Sequence, residues 1–278
     1  MTPTPVLIDP TKLGTVDRDI TYCTEDNIAL KLDLYYPQRA HGKLYPVVLN
    51  FHGGSWSFGD KATSETSIDI PELVQRGYVV AVVDYRLAPK YKFPAQIEDV
   101  KCAVRFLRAH SSTYHLDTQR IGAWGCSAGG HLAALLGVTD AQDGFDKGEY
   151  IDQSSRIQAV AALSAPMNIN LYDVVGRADM LEHVFGTTVS HDPIFSRASP
   201  VTYVSKDDPP FLIIQGDKDG LIAPQHGEQM SAKLMAAGVS AELVTVKEGH
   251  HCLPAQPTMS PSRDNISRMI ADFFDKVL

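Results

Sequence analysis

The chain has 278 residues, 44% of them hydrophobic and 21% charged, with a formal net charge of −8. That is enough apolar material for an α/β domain whose sheet is covered on both faces. A net negative surface repels phosphate backbones and acidic lipid, and no basic run reverses this locally, so neither nucleic acid nor a membrane surface is expected as a partner.

The N-terminus, Met1-Thr2-Pro3-Thr4-Pro5-Val6, has neither the basic start nor the apolar stretch of a secretory leader. A cytoplasmic location is the expectation, or a secreted or periplasmic one if a leader has been removed. No apolar run reaches the length of a bilayer span. Residues 21–36 hold two strand-like pieces split by the polar turn Glu25-Asp26-Asn27, and Ala29 to Leu34 alternates as a strand near a sheet edge does. Buried-type strands follow at Pro46 to Phe51, Val79 to Val83 and Arg120 to Gly125. Between the last two, Ile97, Val100, Val104 and Leu107 recur at three- and four-residue steps, which predicts a helix with one apolar face. Runs at Ile157 to Leu163, Phe211 to Ile214 and Leu243 to Val246 then alternate with helical stretches at Gln225 to Ala237 and Arg263 to Val277.

This alternation predicts a single α/β domain over residues 1–278, with a mostly parallel central sheet, right-handed crossovers and helices on both faces. Residues 140–155 and 167–208 break the pattern: they are polar and loop-like, with short helical pieces. Loops of that length are usually functional, and 167–208 is read as a lid insertion, a small cap over the strand ends. Cys23, Cys102, Cys126 and Cys252 are too few for a disulfide scaffold and match no zinc spacing, so by number and spacing they read as ordinary thiols.

Gly125-Cys126-Ser127-Ala128-Gly129 ends the third buried strand and opens a small-residue helix. A turn from strand directly into helix forces the central serine into strained dihedrals, and flanking glycines remove the Cβ atoms that would collide with neighbouring backbone. The hydroxyl then stands at the carboxyl end of the sheet and at a helix N-terminus, where developing negative charge is favoured. Ser127 is the candidate nucleophile. Upstream, His52-Gly53-Gly54-Ser55-Trp56 leaves the first buried strand, and small residues there let amides approach a substrate oxygen. The N–H groups of Gly54, Ser55 and Ala128 are the candidate oxyanion hole, with Gly53 in place of Ser55 as the alternative register. His52 is expected to brace this loop.

A serine triad at such a turn continues, along the chain, with a carboxylate and then a histidine. Gln215-Gly216-Asp217-Lys218-Asp219-Gly220 leaves the Phe211 strand, and Asp219, farther out and beside Gly220, is preferred to Asp217. Lys247-Glu248-Gly249-His250-His251-Cys252 leaves the last strand, and one of its two histidines is the candidate base, an imidazole being suited to moving protons near neutral pH. The chemistry expected is acyl transfer to serine followed by hydrolysis of the acyl-enzyme.

From about Tyr45 onward the chain resembles the bacterial esterase branch of the α/β-hydrolase fold, close to acetyl-esterase, feruloyl-esterase-like and hormone-sensitive-lipase-like enzymes. The pieces that carry the resemblance are His52 to Trp56, Asp84-Tyr85-Arg86-Leu87-Ala88-Pro89, Gly125 to His131, Gly216 to Asp219, and His251. The Asp84 to Pro89 segment looks like that family's structural turn. A cysteine before the nucleophile and another after the second histidine resemble the arrangement in tannases and some feruloyl esterases, where a disulfide joins the two loops. That resemblance implies a Cys126–Cys252 bond and His251, not His250, as the base. It implies catalysis without metal or cofactor on a small-molecule ester, with small acyl or hydroxycinnamoyl (feruloyl-type) groups as substrates. Two other functions use the same scaffold: an arylformamidase-like C–N hydrolase, and a ligand-binding protein that has lost catalysis. Trp56, Phe58, Tyr85, Tyr91 and Phe93 are read either as an acyl or aromatic pocket or as core. A homodimer is compatible with the chain.

Overall fold

The computed structural model describes residues 13–38, 44–64, 69–172 and 175–278. Among these, eight strands form one sheet: β1 (Val16–Glu25), β2 (Ile28–Tyr35), β3 (Tyr45–Phe51), β4 (Val79–Val83), β5 (Leu116–Cys126), β6 (Ala159–Leu163), β7 (Phe211–Gly216) and β8 (Ala241–Val246). The helices between them are α1 (Lys61–Ser64), α2 (Asp69–Gln75), α3 (Ala95–Ala109), α4 (Ser111–Tyr114), α5 (Ala128–Val138), α6 (Ala178–Phe185), α7 (Pro193–Arg197), α8 (Gln225–Ala236) and α9 (Arg263–Val277). The strand order is β1-β2-β4-β3-β5-β6-β7-β8. β2 runs antiparallel to both its neighbours, and every other adjacent pair is parallel.

The period of two along each strand sorts the core into two layers. Val47, Leu49 and Phe51 of β3, Val79, Ala81 and Val83 of β4, and Phe211 and Ile213 of β7 pack with Ile97, Val104 and Leu107 of α3 and Leu132 and Leu135 of α5. The alternate residues Val48, Val80, Val82, Leu212 and Ile214 pack on Leu73 of α2 and on Ile266, Ile270 and Phe274 of α9. Those three α9 residues, spaced by four, are fully buried, and burying such side chains stabilises by about 1.5–3 kcal/mol each. Ser262 caps this helix by accepting from the Asn265 N–H.

The order of connections marks the end of the sheet where a ligand crevice is expected. The chain leaves β3 to one side for β4, then returns across it to β5 on the other side. An open parallel sheet binds ligands outside the carboxyl ends of its strands at such a reversal. The loops that leave β3 and β5 begin at His52 and Ser127, so the candidate oxyanion loop and nucleophile meet there.

The 140–155 segment is an anchored excursion. Lys101 of α3, fully buried, donates to Thr139 O, Asp146 Oδ2 and Ser155 Oγ at 3.0–3.1 Å. Arg105 donates to Asp146 Oδ1 at 2.6 Å and Glu149 O at 3.0 Å. The 167–208 segment, between β6 and β7, carries α6 and α7 and packs onto the loops after β3 and β4. The Phe93 N–H donates to Val184 O at 2.8 Å, and the Phe185 ring meets Trp56 and Phe93 with centroids 5.7 and 5.9 Å apart.

The cysteine count misled. Cys23 of β1 and Cys102 of α3 are disulfide-bonded across 79 residues of sequence with Cα atoms 6.5 Å apart, and Cys126 is bonded to Cys252. Number and spacing suggest thiols because they are blind to which elements the fold stacks together; the Cys126–Cys252 bond is the one the resemblance implies, and the Cys23–Cys102 bond was not expected. Among the described residues no helix is long and apolar enough to cross a membrane.

Candidate active site

Ser127 holds φ 57° and ψ −122° between the end of β5 and the start of α5. A non-glycine residue keeps such dihedrals, at about 1–3 kcal/mol, only where its surroundings over-determine them. Here the Ser127 N–H donates to Leu163 O of β6, and its carbonyl accepts from the His131 N–H, both at 2.9 Å. The tightness of the turn rests on Gly125 and Gly129. A Cβ on Gly129 would lie 1.9 Å from Phe51 O, and one on Gly125 would lie 2.6 Å from Phe51 O and from the Gly129 carbonyl carbon. Helix α5 therefore starts directly on the β3 and β5 ends, with Ser127 at its N-terminus.

Asp219 and His251 are joined: the imidazole Nδ1 lies 3.0 and 3.1 Å from the two carboxylate oxygens. The Asp219 side chain is fully buried and that of His251 is 21% exposed. Asp219 Oδ1 also accepts from the Leu221 and Ile222 N–H groups at 2.9 Å, and Oδ2 accepts from Gln215 Nε2 at 3.2 Å. Burial pushes this carboxyl up, but the His251 bond and then the Ile222 and Leu221 amides outweigh it and hold it below its ordinary value. Asp217 and His250, the competitors, are both exposed. The acid and base loops are laced together by the Asp217 N–H on Val246 O and the Lys218 N–H on Gly249 O, each at 3.0 Å.

The Cys126–Cys252 bond, with Cα atoms 5.6 Å apart, ties the residue before Ser127 to the residue after His251. The Cys252 N–H donates to Ser164 Oγ at 3.2 Å, adding a tie from the end of β6.

In the loop after β3, Gly53 faces Ser127: a Cβ there would lie 3.3 Å from Cys126 O and 3.7 Å from Ser127 Cβ. Gly54 has φ +115°, Ser55 φ 50° and Trp56 φ 57°, and Ser55 is exposed. His52 braces this loop. Its ring stacks on Tyr85 at 4.2 Å, its Nδ1 donates to Gly53 O at 2.7 Å, and Tyr85 Oη donates to His52 O at 2.8 Å. Ala128, buried, opens α5 beside the serine. Trp56, Tyr85 and Phe93 are buried in the core and Phe58 is 71% exposed, so these rings do not form one pocket wall. Phe185 packs on Trp56 of the β3 loop and on Phe93 of the β4 loop.

Gln215 and Ser164 were missed by sequence reasoning. The signal for Gln215 was a lone amide in the otherwise apolar strand Phe211 to Gly216; for Ser164 there was none, since it acts only through the fold. Among the described residues no three His, Cys, Asp or Glu side chains are grouped to hold a metal ion.

The BD-FAE family profile matches residues 32–234, more than half of the chain. Esterase LipC of Mycobacterium tuberculosis is 33% identical over 222 residues, 77% of this chain and 54% of the relative. The isoprenylcysteine alpha-carbonyl methylesterase ICME of Arabidopsis thaliana is 31% identical over 240 residues, 82% of this chain and 55% of the relative. The chain spans about half the length of the curated relatives it matches. Among solved structures, a truncated carbohydrate esterase from gut microbiota superposes with a TM-score of 0.81 at 25% identity, covering 95% of this chain and 96% of that one. A strained serine between β5 and α5, an aspartate–histidine pair after β7 and β8 and this profile match agree: the chain belongs to the BD-FAE family, in the esterase branch of the α/β-hydrolases.

Proposed function

We propose that the chain is a serine carboxylic-ester hydrolase in which Ser127 is the nucleophile, His251 the base and Asp219 the carboxylate that orients it. The observation that carries this is the Asp219–His251 bond, held next to the serine turn by the Cys126–Cys252 disulfide. His251 Nδ1–H donates to Asp219, which leaves Nε2 as the acceptor of the Ser127 proton. As Oγ attacks the acyl carbon, that proton moves to Nε2, and Asp219 stabilises the imidazolium. The carbonyl oxygen becomes an oxyanion, and the tetrahedral centre collapses as Nε2 returns the proton to the departing alcohol. Water, deprotonated by the same nitrogen, then releases the acid from the acyl-enzyme and restores Ser127.

The oxyanion donors best supported are the amides of Gly53, Gly54 and Ala128. Gly53 is the loop residue that a Cβ would bring within 3.7 Å of Ser127 Cβ, whereas Ser55 is exposed. Each such donor contributes about 2.7–4 kcal/mol to the transition state. Residues 167–208 serve as the cap.

The substrate class proposed is a small acyl or hydroxycinnamoyl ester carried on a carbohydrate. Support comes from the carbohydrate esterase whose fold covers nearly the whole of this chain. Hydrolysis of p-nitrophenyl acetate, methyl ferulate, an acetylated xyloside and N-formylkynurenine by the wild type and Ser127→Ala tests the reading. Turnover of esters that vanishes in the variant is expected; unchanged turnover removes Ser127 from the mechanism, and preference for the formamide replaces ester with C–N hydrolysis.

A further inference from the structure

We propose that His131 is a positioning residue that locks the oxyanion loop to the nucleophile helix and both of them to the 167–208 insertion. This rests on the serine-hydrolase reading and adds a group that acts only through others. His131 is the fourth residue of α5 and fully buried, and its backbone N–H donates to Ser127 O at 2.9 Å, so its place is keyed to the nucleophile. Its ring makes two bonds in opposite directions. Trp56 Nε1–H donates to Nδ1 at 3.2 Å, and Nε2 lies 2.6 Å from Ala198 O. A single neutral tautomer satisfies both, with Nδ1 accepting from the oxyanion loop and Nε2–H donating to the insertion. Burial keeps the imidazole neutral, pulling it down to about 4.

The loop it holds needs holding. Ser55 and Trp56 are consecutive non-glycine residues with positive φ, a conformation kept only under constraint from outside. The Ala88 N–H on Trp56 O at 2.9 Å and the edge of Phe185 supply part of that constraint. His131 supplies the link that runs straight to the serine helix. Without its acceptor, the indole N–H of Trp56, a residue only 3% exposed, would be buried unpaired. The chain from Gly53 to Trp56 would then relax away from the nucleophile. Amides that stabilise an oxyanion act over tenths of an ångström, so such a shift strikes the transition state and spares ground-state binding.

The test compares His131→Phe, His131→Asn and Trp56→Phe, singly and as the Trp56→Phe/His131→Phe double variant, with Ser127→Ala in the same panel. The readouts are kcat and KM on a short-acyl ester, affinity for a boronic-acid tetrahedral analogue, and urea midpoints. His131→Phe is expected to lower kcat about 30–100-fold with KM within about twofold, and analogue affinity should fall with kcat. His131→Asn, whose amide oxygen can occupy the Nδ1 position, should recover at least a tenth of wild-type kcat. The double variant should be no slower than the slower single one, because both cut the same link. Wild-type kcat with a lowered urea midpoint, or effects on kcat that multiply, would overturn the proposal. If His131→Phe does not fold, Trp56→Phe carries the same comparison: unchanged kcat sinks the idea. Turnover retained by Ser127→Ala would instead sink the underlying hydrolase reading, and an inactive Ser127→Ala beside a fully active His131→Phe would sink only the positioning role.

Discussion

On the proposed mechanism, removing one disulfide should disable turnover while removing the other should only weaken the fold. The Cys126–Cys252 bond closes 126 residues and the Cys23–Cys102 bond closes 79, and the two stretches do not overlap. Loop-closure entropy in the unfolded chain gives about 4.9 kcal/mol for the first and about 4.5 kcal/mol for the second. The two contributions should add, since neither loop contains the other's ends. Replacing all four cysteines by alanine would then cost about 9 kcal/mol, comparable with the entire stability of an ordinary domain. Each paired variant (Cys126→Ala/Cys252→Ala and Cys23→Ala/Cys102→Ala) should remain folded, with urea midpoints lowered by similar amounts. Their kcat values should separate. The first variant frees the residues flanking Ser127 and His251, and loss of alignment by about 1 Å costs on the order of a hundredfold; the second leaves that geometry untouched. Urea unfolding followed by circular dichroism, with initial rates on a p-nitrophenyl ester from the same preparations, reads both quantities. A Cys126→Ala/Cys252→Ala enzyme with kcat within twofold of wild type would refute the view that the bond sets the distance between nucleophile and base. Near-zero stability losses in both pairs would refute the entropic estimate.

Other outcomes follow from the same geometry. Asp219→Asn should lower kcat by about ten-thousand-fold through the wrong histidine tautomer, whereas Asp217→Asn, altering an exposed carboxylate, should be silent; equal losses would mean the acid is misassigned. Gly129→Ala, whose Cβ would sit 1.9 Å from Phe51 O, should cost about 3 kcal/mol or more and yield little soluble protein. Gly220→Ala meets nothing within 4 Å and should fold normally, so a similar yield for the two variants would show that close approach is not the constraint. The last outcome concerns acid. Burial first and the Arg177 charge second hold His226 down at about 4, against 6.5 when free. The unfolded chain therefore binds the extra proton between these values, and stability fully present above pH 6.5 is lost as pH falls toward 4, roughly 2 kcal/mol of it by pH 5. His226→Asn, which can still accept from the Asn168 N–H, should remove about half of the decline in urea midpoints between pH 7.5 and 5, because buried His131 is held down to about 4 as well; a slope equal to wild type would show that His226 does not titrate in this window.

The strands and long helices were legible because period and turn chemistry are local. The strand order was not, since the return across β3 to β5 depends on how crossovers pack. Lys101 and Arg105 show the limit on a single helix. The apolar stripe of Ile97, Val100, Val104 and Leu107 was correct, yet these two cations beside it are fully buried because residues 140–155 fold over them and bring Asp146. The strained serine turn was readable from five letters in their strand-to-helix setting. Asp219 was preferred to Asp217 from its place beside Gly220, and the structure adds that after the Gly216 turn Asp217 faces solvent while Asp219 turns inward to Gln215 and His251. His131 stood in a recognisable motif, but its role becomes visible only once Trp56 and Ala198, distant in sequence, are placed at its two nitrogens.

The glycines around the serine carry an evolutionary corollary. Positions 125 and 129 are sealed by backbone atoms of Phe51 and of the turn itself, so the chemistry sits on a foundation that tolerates no variation in side chain. On the proposed function, changes in substrate preference are expected in the β3 loop beyond Trp56 and in the insertion between β6 and β7 rather than at these glycines. Randomised libraries confined to those two stretches should therefore diversify what is cleaved while the machinery that cleaves it stays fixed.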